Sequence, residues 1–232
     1  MEPLKLTDLQ IWPNHVNRVL DVLSLALDKL AAEERLPAGE KDLNLTLSKC
    51  VRSANCELRR QGRGVEWPPS FDGIQGRYPE DERNPPDAEK RPDIKFGMYD
   101  SQETNPERQE KAFDVECKRL GHPTSETWVL TEQYVVGGIR RYTSSSHGYG
   151  RYATDGAMVG YVQDASLQGL LDEVNSYSRK HGFPEIALSG DGWRRDSTTR
   201  LEHMLPRSGM PCPCKLVHLW TDLRSKYAGR SR

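Results

Sequence analysis

The nine residues "AFDVECKRL" (112–120) constrain the chain more than any other stretch. Read as a strand, their alternation sends Phe113, Val115 and Cys117 to one face and Asp114, Glu116 and Lys118 to the other. The apolar face asks for a core. The opposite face, two carboxylates and a lysine, asks either for water or for a bound cation. Just upstream, "DIKFGMYD" alternates Ile94, Phe96 and Met98 against Lys95 and Gly97, and "SQETNPERQEK" is polar enough to be the connection between two antiparallel strands.

Around this hairpin the chain reads as an α/β protein. "HVNRVLDVLSLALDKLAAEERL" places Val16, Val19, Leu20, Leu23, Leu27 and Leu30 at helical spacing, with Pro13 and Asn14 as start signals and "PAG" (37–39) as the stop. A second helix is expected over 40–60, its stripe being Leu43, Leu47, Cys50, Val51, Ala54 and Leu58. Residues 62–91 are rich in Pro, Gly and charge and read mostly as loop, with room for a short strand near 71–78. After the hairpin come a helix over 131–143 and a buried strand "GAMVGYVQD". A helix capped by Ser166 and ended by Gly182 follows, then two strands, "TTRLEHML" and "CKLVHLWTDL", as an antiparallel pair. The Gly137–Gly138 pair in the first of these helices is expected to allow close packing on the sheet. The domain division expected is an N-terminal helical extension, 1–39, and a main domain, 40–232.

Composition narrows the class. With 35 % hydrophobic residues and 29 % charged ones, the chain fits a soluble globular protein with long polar loops. No run of about 18 apolar residues offers a membrane span, and the N-terminus lacks a secretory pattern. Five cysteines, an odd number, argue against a disulfide framework and for a reducing cytoplasm. Cys212 and Cys214, with His218 and His203, are spaced too tightly around a proline for an ordinary zinc site, so two buried or half-buried thiols and structural histidines are expected. Residues 137–232 carry 14 Lys and Arg against 9 Asp and Glu, which suits a polyanion or plain solvated charge.

The polar face of the hairpin is where chemistry concentrates. Asp93 opens the first strand after Pro92, and an antiparallel pairing brings it toward Glu116. Two opposed carboxylates repel, and a cation offsets them. Mg²⁺, which takes one or two carboxylates plus water and phosphate oxygens, suits such a pair, and Lys118 lies two residues on along the same face. Pro92-Asp93 followed by Glu116-Cys117-Lys118 resembles the signature of the PD-(D/E)XK nuclease superfamily, over about residues 40–164. The resemblance implies a restriction-endonuclease-like αβββαβ core, a mixed central sheet flanked by helices. The N-terminal helical extension (1–39) and the C-terminal strand pair would be additions to it. It further implies Asp93 and Glu116 as Mg²⁺ ligands, with Mn²⁺ able to substitute, and Lys118 as the catalytic lysine in phosphodiester hydrolysis.

Members of this superfamily often add a glutamate from the preceding helix. Glu40, at that helix's N-terminal end, is the candidate here, with Glu57 as its rival at the far end; Asp114 is a rival ligand on the strand itself. Arg140, Arg141 and Arg151, interleaved with Tyr142 and Tyr152, are candidate contacts to nucleic acid. Gln133 and Tyr134 could reach the site or DNA, and "SGDGWRRD" (189–196) could contact DNA. The expected activity is that of a DNA endonuclease, in the setting of restriction or antiphage defence where such stand-alone enzymes occur. Double-strand cleavage would call for a homodimer or a partner protein of a defence complex. The alternatives are an RNA-directed nuclease and a catalytically silent binding or assembly subunit of the same fold.

Overall fold

The structure, a computed structural model, describes residues 11–71, 91–144, 147–195 and 197–228. Two long helices open the chain, α1 (Trp12–Ala32) and α2 (Glu40–Arg60). Short β1 (Ser70–Phe71), β2 (Ile94–Tyr99) and β3 (Glu110–Leu120) follow, then α3 (Leu130–Val136) and β4 (Asp155–Val162). The chain closes with α4 (Leu167–Lys180), β5 (Ala187–Leu188), β6 (Thr198–Leu205), β7 (Cys214–Asp222) and α5 (Arg224–Tyr227). The strands form one mixed sheet of seven in the order β1-β2-β3-β4-β7-β6-β5. β3, β4 and β7 run parallel to their neighbours in the centre, and antiparallel pairs flank them on both sides.

The sheet separates two apolar layers. On one side α1 and α2 bury Val19, Leu23, Leu27, Leu43, Leu47 and Val51 against Phe96, Phe113, Val115, Cys117, Val159 and Leu219. On the other, α3 and α4 bury Tyr134, Val135, Leu170 and Val174 against Met158, Leu201, Leu216 and Trp220. β4 and β7 are therefore covered on both faces, which is why "GAMVGYV" is apolar throughout. α1 shares one core with α2 and the sheet, so the expected boundary at residue 39 does not divide the core.

Most elements fall where the periodicity puts them, and α2 spans the expected 40–60. Ser166 caps α4 by accepting from Gly169 N, and Gly182 ends it with φ +76°. The helix expected over 131–143 is a correction. α3 stops at Val136, and a 3-10 turn over Ile139–Tyr142 follows the two glycines. A Cβ on Gly138 would stand 2.3 Å from Met158 Cε and 2.4 Å from Tyr134 O, so the close approach is real, but it comes with a break in the helix. α1 ends at Ala32, before "PAG". β5 and α5 carry no periodic signal in so few residues. Of the strand expected near 71–78, only Phe71 lies within the described residues. Among them, no helix is long and apolar enough to cross a membrane.

Candidate active site

A mismatch in strand length creates the site. β3 has eleven residues, but β2 pairs only with the first six, from Glu110 to Val115. Residues 116–120 thus project beyond β2, with no strand on that edge among the described residues, and their backbone N–H groups need acceptors. Side-chain carboxylates supply them. Asp93 stands one residue before Ile94, which pairs with Val115, so the register sets it across from Glu116. Its Oδ2 accepts from Cys117 N at 2.7 Å. Two residues on, Arg119 N donates to Glu40 Oε2 at 3.2 Å. Glu40 is the first residue of α2, where the helix dipole also favours an acid.

Lys118 ties Glu40 to Glu116. Its Nζ lies 2.7 Å from Glu116 Oε1 and 3.0 Å from Glu40 Oε1. Glu116 is 1 % exposed, and its second oxygen accepts from Arg141 Nη1 at 3.0 Å and from the Tyr149 hydroxyl at 3.1 Å. Asn44, one helical turn after Glu40, donates to Asp93 Oδ1 at 2.9 Å and accepts from Tyr161 OH on β4. Glu40, Asp93, Glu116 and Lys118, expected together, are together.

The electrostatics are those of crowded acids. Burial, then repulsion from Glu116, pushes Asp93 from 3.8 up to about 7, against the pull of Lys118 and the Cys117 N–H. Burial also raises Glu116, opposed by Lys118 and Arg141. Burial works against the charge on Lys118, but Glu116, Glu40 and Asp93 outweigh it and hold the ammonium above its ordinary range. Lys118 is therefore a firm cation at neutral pH, suited to stabilising negative charge and unsuited to acting as a base.

Among the described residues, no three His, Cys, Asp or Glu side chains gather into a cage for a metal. Mg²⁺ does not require one, since a pair of carboxylates completed by water and phosphate oxygens is its common arrangement. Asp93 and Glu116 are hard oxygen donors whose mutual repulsion a divalent cation would relieve, so the residues present fit the ion.

The other candidates separate. Asp114 is 1 % exposed, and its Oδ2 accepts from Gly150 N at 2.9 Å, so it pins the loop before β4 and does not face a ligand. It is buried because α3, the 3-10 turn and the Tyr149 loop lie over this face of β3. Glu57 pairs with Lys29 on α1 at 2.9 Å, at the other end of α2 from Glu40. The three arginines do not form one stripe. Arg141 points inward to Glu116, Arg140 is exposed and donates to His181 Nδ1, and Arg151 is half-buried. Gln133 lies near Lys118, since a Cβ on Gly137 would stand 3.5 Å from Gln133 Oε1 and 3.7 Å from Lys118 Cε.

His218 and His203 form a buried chain with Tyr134. The Tyr134 hydroxyl lies 2.8 Å from His218 Nδ1, His218 Nε2 lies 3.4 Å from His203 Nδ1, and His203 Nε2 meets Pro184 O at 2.9 Å. Burial lowers both histidines, as neutral structural imidazoles require. Cys214 is buried as expected, but Cys212, in the loop before β7, is exposed. Trp193 of the 189–196 loop stacks on Trp220 and so belongs to the packing.

Sequence reasoning missed Asn44, Tyr149 and Tyr161, and missed that Arg141 meets Glu116. Asn44 had a signal, its position four residues after Glu40 on the same helix face. Tyr149 had none, because a loop of Gly, Ser and Tyr has no period. Its placement comes from Asp114 on one side and from Arg207, which donates to Gly150 O and Ala153 O, on the other. No protein family, curated protein or solved structure matches the chain.

Proposed function

We propose that the chain is a Mg²⁺-dependent endonuclease of the PD-(D/E)XK type that hydrolyses DNA phosphodiester bonds, working as a homodimer or within a defence complex. One observation carries the reading. Glu40 at the start of α2, Asp93 just before β2, and Glu116 and Lys118 on β3 come to the same end of β3, where Lys118 bridges Glu116 and Glu40 at 2.7 and 3.0 Å and Asp93 accepts from Cys117 N at 2.7 Å. The element order supports it: helix α2, antiparallel β1, β2 and β3, then a helical crossover to parallel β4, is the αβββαβ arrangement.

Asp93 and Glu116 would hold the Mg²⁺. The ion would supply neutralisation of phosphate charge and a bound water acidic enough to attack at neutral pH. The chain's own part is electrostatic and positional. Lys118, kept protonated, donates to the attacking water or to a phosphate oxygen and stabilises the charge that grows there. Glu40 holds Lys118 from the far side, and Asn44 holds the Asp93 carboxylate in place.

Incubation of the purified protein with plasmid, single-stranded DNA and RNA, each with Mg²⁺, Mn²⁺ or EDTA, tests the proposal. Metal-dependent DNA cleavage supports it, and cleavage of RNA alone would move the substrate to the other sugar. One observation favours a silent assembly subunit instead: every oxygen of Asp93 and Glu116 already holds a hydrogen bond within the protein. Absence of cleavage with either metal would select that second reading.

A further inference from the structure

We infer that Arg141 is a clamp for a phosphate of the bound DNA strand, beside the bond to be cut; the inference rests on the nuclease reading of the same site. The guanidinium stands at the mouth of the cluster, its side chain 26 % exposed. Its hydrogen bonds among the described residues run through one nitrogen: Nη1 donates to Glu116 Oε2 at 3.0 Å, to Tyr149 OH at 3.0 Å and, more weakly, to Arg91 O at 3.5 Å. Nε and Nη2 have no partner among the described residues, yet neither is a buried orphan. The Tyr149 ring, 5.8 Å from the guanidinium carbon, steadies the group from the side.

A guanidinium held by one nitrogen and open along the adjacent edge presents two parallel N–H donors, the fork that fits two oxygens of a phosphate. The charges favour such a ligand. Lys118 already pairs with the other oxygen of Glu116, so Arg141 is not its sole counter-ion. A metal on Asp93 and Glu116 would weaken the hold of Glu116 on Arg141, and an incoming phosphate would offer that cation a new partner. The 3-10 turn that carries Arg141 is fixed by Tyr142, whose hydroxyl donates to Asp114 O and Ala157 O, so the arginine projects from a rigid base.

The test uses the full-length protein and a short DNA duplex in which single phosphates are replaced, one at a time, by neutral methylphosphonates. Binding is followed by fluorescence anisotropy in EDTA for wild type, Arg141→Met and Arg141→Lys. For the wild type, one replacement should weaken binding about tenfold or more, as loss of a charge-assisted pair does. In Arg141→Met that position should lose its effect while the others keep theirs, and the salt dependence should flatten by about one phosphate contact. Arg141→Lys keeps the charge near Glu116 and so the fold, but lacks the fork and should recover little of the lost affinity. If Arg141→Met leaves the methylphosphonate profile unchanged, or Arg141→Lys binds like the wild type, the clamp is refuted while the nuclease reading stands. If the wild type binds and cuts no nucleic acid, both fall.

Discussion

Asp93→Asn separates the electrostatic load of the site from its packing. The folded protein raises Asp93 from 3.8 to about 7. The unfolded chain gives up this proton near the ordinary value, so between the two values the folded state binds more protons. Stability therefore falls as pH rises through that window, and the favourable contribution is gone above about 7. The cost of holding Asp93 charged thus grows by a few kcal/mol from pH 5 to pH 8. Asparagine escapes this cost and keeps the shape. Its carbonyl can accept from Cys117 N, and its amide can donate to Asn44 once that side chain turns over. Tyr161, which also contacts the Cys117 sulfur, can reorient its hydroxyl to match.

The variant should thus melt above the wild type in EDTA. The gap should widen from pH 5 to pH 8, by several degrees in Tm for a chain of this size. Metal-dependent cleavage should be lost in the same protein, the trade of activity for stability expected where a site stores repulsion. Thermal melting at pH 5, 6, 7 and 8 reads the gap directly. A constant gap, or one that shrinks toward pH 8, would refute the claim that Asp93 carries a strained charge.

Glu116→Ala leaves Lys118 and Arg141 without their shared carboxylate, so it should lose about 3 kcal/mol in urea unfolding, with Glu116→Gln losing less. The alternation alone suggests a mild effect on folding, on the premise of a solvated face; the 1 % exposure of Glu116 removes that premise. Lys118→Ala leaves Glu40 without its cation and Glu116 with Arg141 alone. It should show a larger Mg²⁺-induced rise in Tm than the wild type, while cleavage drops by about 10²-fold. Cys117→Ser puts a hydroxyl in the core beneath α2 and should cost about 1–3 kcal/mol with little change in kcat, measured by melting beside cleavage. Gly138→Ala meets Met158 and the Tyr134 carbonyl at 2.3–2.4 Å, should lose about 2 kcal/mol or more, and should displace Arg141 enough to weaken DNA binding.

The sequence was legible where a single period decides the outcome. The alternation of 112–120 assigns Cys117 to one face and Glu116 to the other, and the spacing of Leu43, Leu47 and Val51 fixes which side of α2 is inward, hence where Glu40 starts. What it hides is relational. That β2 stops opposite Val115 while β3 runs on to Leu120 is a property of two strands together, and no residue in either announces it. Yet this overhang is the positioning device. The free N–H groups of Cys117 and Arg119 recruit Asp93 and Glu40, and the two acids arrive on either side of Lys118. The burial of the polar face was hidden for the same reason, since Tyr149 and Arg141 come from a break and a loop without period. The acids of the site thus do two tasks with one set of bonds. Carboxylates that finish the hydrogen bonding of an unpaired strand edge are held together against their repulsion, and that enforced proximity is the property a divalent cation would use.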